Sequence, residues 1–334
     1  MYRNFMARRY IFAPELFHGS DTPTATTLFM TNSHHHLIIV GGPTASGKTT
    51  LAIEIAQYFN TEILSADSRQ FYREMSIGTA KPTPAELAVV PHHFIDSLSV
   101  EEEYSVGDFE RDALKVLENL FLEKKVAVMV GGSGLFINAI CHGLDHFPEI
   151  SPLTKNIVQE GEATGGLAWL QTAISKLDPE YFSKADQMNP ARLRRALEVS
   201  IEAGAPYSSF LQQPKEERPF QIHYILTEWP RDILYDRINK RVDLMIEQDL
   251  EAEVRQLLPY RNQSALRTVG YEEWFQYFDG EIDKNTVIEK IKQHSRNYAK
   301  RQITWFRKYG NWKSFHAKNS ALILEYLEQL INKR

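Results

Sequence analysis

The most constraining stretch is Gly42-Pro43-Thr44-Ala45-Ser46-Gly47-Lys48-Thr49. It follows the apolar run Leu37-Ile38-Ile39-Val40 and precedes Leu51, Ala52, Ile55, Ala56 and Phe59 at helical spacing. Strand, glycine-bearing loop and helix in that order are the context in which G-x-x-x-x-G-K-[ST] reads as a phosphate loop. Its glycines let backbone N–H groups turn inward around a phosphate, and the helix N-terminus adds a favourable dipole. Lys48 is expected along the outer phosphate oxygens, with the Thr49 hydroxyl on a bound Mg²⁺. Whether the phosphate belongs to ATP, GTP or another diphosphate is left open by the loop itself.

A second apolar run, Glu62-Ile63-Leu64-Ser65-Ala66, reads as a strand ending on Asp67-Ser68-Arg69-Gln70, and Val126-Ala127-Val128-Met129-Val130 as another ending on Gly131-Gly132-Ser133-Gly134. Alternation of such strands with helices predicts an α/β fold, a parallel sheet of the phosphate-loop NTPase kind flanked by helices. Strand carboxyl ends in that fold gather around the ligand, so Asp67 points toward whatever the loop holds. A helix-capping role for Asp67 is an equal alternative at this point. An ATPase or GTPase of this kind carries an Asp at the end of an apolar strand; here Val126–Val130 runs into glycines and Ser133, which counts against a hydrolase.

Tyr224-Ile225-Leu226 reads as the last strand, and Arg231 to Leu258 as one helix with Arg237 and Arg241 a turn apart. Such a pair suits an anion facing the loop, or else pairs with Glu247 or Glu251. From Gly143 to about Lys184 the α/β alternation stops, with a break expected at Gly165-Gly166. That region, 143–184, reads as a helical insertion into a catalytic domain formed by 37–142 and 185–334. In the helix that follows, Leu193, Ala196, Leu197 and Ile201 face inward, while Arg192, Arg194 and Arg195 form either a solvated basic face or contacts to phosphate. Lys290, Lys292, Arg296, Lys300, Arg301, Arg307 and Lys308 are interleaved with Tyr298, Trp305 and Phe306, with no acidic residue between Lys290 and Lys308. Charge and aromatic faces on one helix suit RNA.

The totals bound the rest. A net charge of −5 over 334 residues argues against a wholesale polyanion binder, so contact with nucleic acid must come from local basic patches. Cys141 is the single cysteine, which rules out an intrachain disulfide and a multi-cysteine zinc site and fits a reducing, cytoplasmic home. No apolar run is long enough to span a bilayer. Residues 1–36 stand apart: they read as a disordered extension ahead of a compact protein beginning near Met30, or alternatively as a transit peptide. His34-His35-His36 and His92-His93 lack a second ligand pair at metal-binding spacing.

From about Leu37 to Trp312 the chain resembles the bacterial tRNA dimethylallyltransferases, also called isopentenyl-tRNA transferases. The phosphate loop, Asp67-Ser68-Arg69-Gln70, Ile77-Gly78-Thr79-Ala80-Lys81-Pro82, Gly131-Gly132-Ser133, Arg192-Leu193-Arg194-Arg195-Ala196-Leu197-Glu198, Thr268-Val269-Gly270-Tyr271 and Ala299-Lys300-Arg301-Gln302-Ile303-Thr304-Trp305 follow in that family's order. The resemblance implies transfer of a dimethylallyl group from dimethylallyl diphosphate to the exocyclic amine of the adenosine just 3′ of the anticodon. It implies Asp67 as general base, Lys48, Thr49 and Arg241 on the departing diphosphate, and Thr44 to Thr49 as donor site. Contacts to tRNA are implied for Asp67, Ser68, Arg69, Gln70, Ser133, Lys155, Ala191, Arg192, Leu193, Arg194, Arg195, Arg267, Thr268, Val269, Gly270 and Tyr271, with the insertion gripping the anticodon stem-loop. A monomer using Mg²⁺ is expected. Asp249 and Glu272 depart from the family's usual glycine and basic residue. A relative acting on free AMP or ADP, a small-molecule kinase and a nucleotide-dependent switch are the competing classes. The insertion and the basic aromatic helix favour tRNA over a free nucleotide, and no Asn-Lys-x-Asp guanine motif is present.

Overall fold

The computed structural model describes residues 34–211 and 217–332; the extension expected at the N-terminus lies, up to residue 33, outside them. Six strands, β1 (His36–Gly41), β2 (Ile63–Ser65), β3 (His92–His93), β4 (Val126–Gly131), β5 (Gln221–Glu228) and β6 (Lys313–His316), form one sheet in the order β3-β2-β4-β1-β5-β6. Every pairing is parallel, with Gly41 opposite Gly131 on one side and Leu226 on the other. The expected parallel α/β sheet is therefore present, with β1 and its loop at the centre. Two edge strands were not expected from the sequence. β3 has only two residues and β6 reads Lys-Ser-Phe-His, so neither carries the apolar run by which a buried strand is recognised.

Because β1 is apolar from Leu37 to Val40, both faces of the sheet can be covered. Leu37 and Ile39 pack on one face with Phe109, Ala113 and Leu117 of α3 (Val106–Phe121) and Ile137 and Ile140 of α4 (Gly134–His142). Ile38 and Val40 pack on the other with Leu51 and Ile55 of α1 (Lys48–Tyr58) and, from the far end of the chain, Ile323 and Leu327 of a helix over Ser320–Ile331. A short helix, α2 (Pro84–Val89), begins with a capping box between Thr83 and Glu86 and leads to β3.

The insertion consists of α5 (Pro152–Leu177), α6 (Pro179–Lys184) and α7 (Pro190–Ala203). The expected break occurs at Gly166, which interrupts α5 with φ 59° and ψ −152°. The packing boundary lies beyond the expected residue 184. Leu193, Ala196 and Leu197 of α7 share an apolar cluster with Val158, Leu170 and Ile174 of α5, and Tyr207 joins it. α7 thus belongs to the inserted unit by packing. Its polar lead-in gave no sign of this, because the choice between two cores depends on partners far away in sequence.

After β5, the expected single helix is two, α8 (Arg231–Glu247) and α9 (Leu250–Gln256). Asp249 divides them in the left-handed region (φ 66°, ψ 49°), which breaks the helical ladder, and its side chain accepts from the Ala252 N–H to cap α9. Aspartate is among the few non-glycine residues that enter this conformation readily. α10 (Glu272–Phe278) and α11 (Lys284–Lys308) follow, then β6 and α12 (Ser320–Ile331). Trp274, Val287, Ile291, Val254 and Met245 build a third cluster there, reaching Tyr72 and Met75 after β2. The cluster seats α8 and α11 along the strand ends where the loop lies.

Candidate active site

The phosphate loop runs from the end of β1 into α1. Gly42 is required by close approach: a Cβ there would lie 2.1 Å from Thr227 Oγ1 and 2.6 Å from Ser46 Oγ. Those two hydroxyls hydrogen-bond each other at 2.6 Å, and Thr227 also donates to the Gly41 carbonyl. Ala45 sits in the left-handed region at φ 61°, which costs a non-glycine residue about 1 kcal/mol. Neighbours hold it there. Arg237 Nε donates to the Ala45 carbonyl at 2.8 Å, Trp229 Nε1 donates to the Ser46 carbonyl at 2.8 Å, and the Thr44 N–H donates to Gln302 Oε1 at 2.8 Å. Inside, the Ser46 N–H crosses to the Pro43 carbonyl at 3.2 Å, and Lys48 Nζ lies 3.5 Å from the same oxygen.

A cleft of about 410 Å³ opens beside the loop, lined by Thr44, Asp67, Ser68, Arg69, Thr79, Arg241, Arg267, Thr268, Val269, Gly270, Tyr298 and Arg301 among others. Strand topology explains the gathering, since β1 and β2 end at one edge and α8 and α11 cross it. Asp67 Oδ1 accepts the Arg69 N–H at 3.2 Å, so the carboxylate folds its own turn while facing the cleft. Burial pushes Lys48 down to about 8; the Asp67 carboxylate opposes that shift and the Arg241 guanidinium adds to it. Arg241 is likewise lowered by burial and supported by Asp67. Burial and then the Asp67 charge push the Tyr298 phenol up to about 12. One carboxylate therefore stands among an ammonium, a guanidinium and a phenol.

Of the sixteen residues expected to contact tRNA, seven line the cleft: Asp67, Ser68, Arg69, Arg267, Thr268, Val269 and Gly270. The Ser68 N–H donates to Ser133 Oγ at 3.2 Å, and an Arg69 guanidinium nitrogen donates to the Arg267 carbonyl at 3.4 Å, joining three motifs distant in sequence. Glu272, the departure from the family pattern, also lines the cleft. Gln70 is buried and gives its amide to the Thr79 and Ala80 carbonyls, fixing the loop from residue 76 to 81. Tyr271 is fully buried, its ring under Gly78 and its hydroxyl on Glu253 at 2.6 Å. Glu253 also accepts the N–H groups of Ser76, Ile77 and Gly78. The side chains of Gln70 and Tyr271 shape the wall of the cleft from behind. The expected arginine pair is divided: Arg241 faces the cleft and bonds the Thr79 carbonyl, whereas Arg237 lies behind the loop.

Lys155, Ala191, Arg192, Leu193, Arg194 and Arg195 lie on the insertion and do not line the cleft. Leu193 is core, and Arg194 makes a two-pronged bond to Glu162 at 2.6 and 2.7 Å. Lys155, Ala191, Arg192 and Arg195 are exposed, Arg195 resting on the Phe147 ring. Among the described residues no cluster of three His, Cys, Asp or Glu can hold a metal. The Thr49 hydroxyl at the start of α1 is placed to serve as one oxygen ligand of a divalent ion whose other ligands come from substrate phosphates and water. Trp229 and Glu253 carried no sequence signal as site residues, and Gln302 stood in the Ala299–Trp305 motif with no role assigned, because the loop backbone atoms each one bonds lie more than 170 positions away.

The IPP transferase family model matches residues 70–309. The tRNA dimethylallyltransferase of Christiangramia forsetii is 52% identical over 89% of this chain and 99% of that protein. The crystal structure of the full-length tRNA isopentenylpyrophosphate transferase of Bacillus halodurans superposes with a TM-score of 0.67 at 32% identity, covering 89% of this chain and 97% of that one. A eukaryotic dimethylallyltransferase caught acting on tRNA shares the fold at a TM-score of 0.77, with 23% identity over 90% of this chain and 80% of its own. A phosphate loop opening on a carboxylate-bearing cleft, matched along nearly the whole length of such relatives, makes this chain a member of the IPP transferase family, the tRNA dimethylallyltransferases.

Proposed function

We propose that this protein transfers a dimethylallyl group from dimethylallyl diphosphate to the N6 amine of the adenosine 3′-adjacent to the anticodon in tRNA, giving N6-(dimethylallyl)adenosine. The observation that carries the reading is Asp67 beside the phosphate loop, in a cleft shared with Arg241 and Thr44. The adenine amine attacks C1 of the donor as the C1–O bond breaks, diphosphate leaves, and the N6 proton passes to the Asp67 carboxylate. Lys48 and Arg241 stabilise the charge gathering on the leaving group. Mg²⁺, held by Thr49 and the diphosphate's own oxygens, would neutralise part of the same charge. The adenosine must leave its stack to bring its amine to Asp67 beside the loop, which an unpaired loop nucleotide does at modest cost.

Ser68, Arg69, Ser133 and Arg267 to Gly270 contact the nucleotides around it. Arg192, Arg195 and Lys155 hold the anticodon stem from the insertion, which we read as a tRNA-gripping unit. The protein works as a cytoplasmic monomer. A kinase is disfavoured by β4, which ends in Gly131-Gly132-Ser133 without a carboxylate. The deciding experiment supplies labelled dimethylallyl diphosphate with Mg²⁺ and either total tRNA or AMP, after enzymatic removal of ATP. Label entering tRNA alone is expected; a need for ATP, or label in AMP alone, would overturn the reading.

A further inference from the structure

The outer surface of the phosphate loop is tied down by two side chains from elsewhere in the fold. Trp229, just beyond the end of β5, donates its indole N–H to the Ser46 carbonyl, and Arg237 of α8 donates Nε–H to the Ala45 carbonyl, each at 2.8 Å. The two side chains also brace each other, with the guanidinium 4.6 Å from the Trp229 ring and His316 of β6 tilted against that ring at 4.3 Å. In a trans peptide the carbonyl and the following N–H point in opposite directions. Holding the Ala45 and Ser46 carbonyls outward therefore turns the Ser46 and Gly47 N–H groups inward. The Ser46 N–H does turn inward, where it bonds the Pro43 carbonyl across the loop.

We infer that Trp229 and Arg237 are positioning residues for the donor's diphosphate, acting on it through the orientation of the 45–46 and 46–47 peptides. This rests on the loop being the diphosphate site of the proposed reaction. Arg237 thereby has a different task from Arg241 one turn away: it sets backbone donors from behind, while Arg241 faces the cleft. Without the braces, Ala45 has less reason to keep its positive φ, and the loop relaxes toward conformers whose N–H groups no longer converge.

The experiment measures Mg²⁺-dependent binding of inorganic pyrophosphate by calorimetry, with steady-state kinetics, in wild type, Trp229→Phe, Arg237→Met and Arg237→Lys. Each of the first two variants is expected to bind pyrophosphate about threefold to tenfold more weakly, the scale of one lost hydrogen bond. The donor KM should rise by a similar factor while the tRNA KM stays at the wild-type value. Arg237→Lys should recover part of the loss. A merely structural role would lower the melting temperature and the active fraction, leaving pyrophosphate affinity and donor KM of the folded protein unchanged; that result overturns the inference. If Trp229→Phe does not fold, Arg237→Met reads the neighbouring peptide from the α8 side. Wild type that fails to bind pyrophosphate refutes the diphosphate reading of the loop itself, and this inference falls with it.

Discussion

Lys48 offers a direct measure of the electrostatics around the loop. Its ammonium is pushed by burial from 10.5 to about 8, with Asp67 opposing the fall and Arg241 deepening it. Holding a diphosphate requires the charged form. In the free enzyme that form predominates below about pH 8 and is lost as pH rises through it. The kcat/KM for the donor reports groups on the free enzyme. It is therefore expected to fall above pH 8 by about tenfold per pH unit, and to be roughly tenfold lower at pH 9 than at pH 7.

The two neighbours act in opposite senses, which makes the perturbation diagnostic. Asp67→Asn removes the charge that raises Lys48, so the break should move to lower pH. Arg241→Gln removes the charge that lowers it, so the break should move up. Both variants will be slow, so the quantity compared is the position of the break in profiles from pH 6.5 to 10, each collected under single-donor kcat/KM conditions. Lys48→Met serves as the reference, with no such break. A wild-type profile that stays level to pH 9.5, or two variants whose breaks move in the same direction, would refute the reasoning.

Asp67→Asn should keep tRNA binding yet lower single-turnover transfer by roughly 10²-fold or more, the scale of a lost general base, and near-normal transfer would leave Asp67 only a contact. Arg192→Ala should weaken tRNA binding and flatten its salt dependence by up to about one unit of slope, as loss of one phosphate contact does. Arg194→Ala should keep the wild-type slope, because that guanidinium is committed to Glu162, and titration of tRNA affinity against salt separates the two. His36, buried beside His223 at the amino end of β1, is pushed down from 6.5 to about 4, chiefly by burial and then by His223. It folds neutral and protonates more readily when unfolded, so stability is full above about pH 6.5 and declines toward pH 4. Urea melts should lose about 1 kcal/mol between pH 7.5 and 5.5, and His36→Leu should show less of that loss.

What was legible in the sequence was local and what was missed was long-range. The loop, β1, β4 and the break at Gly166 each declare themselves within a few residues, by apolar runs or by glycine chemistry. Asp67 was legible as a position, because a residue following an apolar strand of a parallel sheet must lie at the ligand edge whatever its neighbours do. β3 and β6 stayed hidden, since an edge strand of two histidines, or of four residues with the single apolar Phe315, owes its conformation to the strand it pairs with. Asp249 was noticed as an oddity, but its division of α8 from α9 depends on a backbone conformation that an aspartate does not announce.

The same distinction separates the residues proposed to face substrate from those that hold them. Lys48, Thr49 and Asp67 belong to contiguous motifs. Trp229 reaches Ser46 across 183 positions, Gln302 reaches Thr44 across 258, and Glu253 reaches Gly78 across 175. Each of these three satisfies main-chain groups, so nothing about the partner's side chain marks the pairing. Tyr271 and Gln70 show the reverse case. They lie in motifs of residues that line the cleft, yet they are buried and act on its wall, Tyr271 beneath Gly78 and Gln70 through the Thr79 carbonyl. A motif thus marks a place in the fold where a site is built, while burial and hydrogen-bond partners decide which of its members meet the substrate and which keep the others in position.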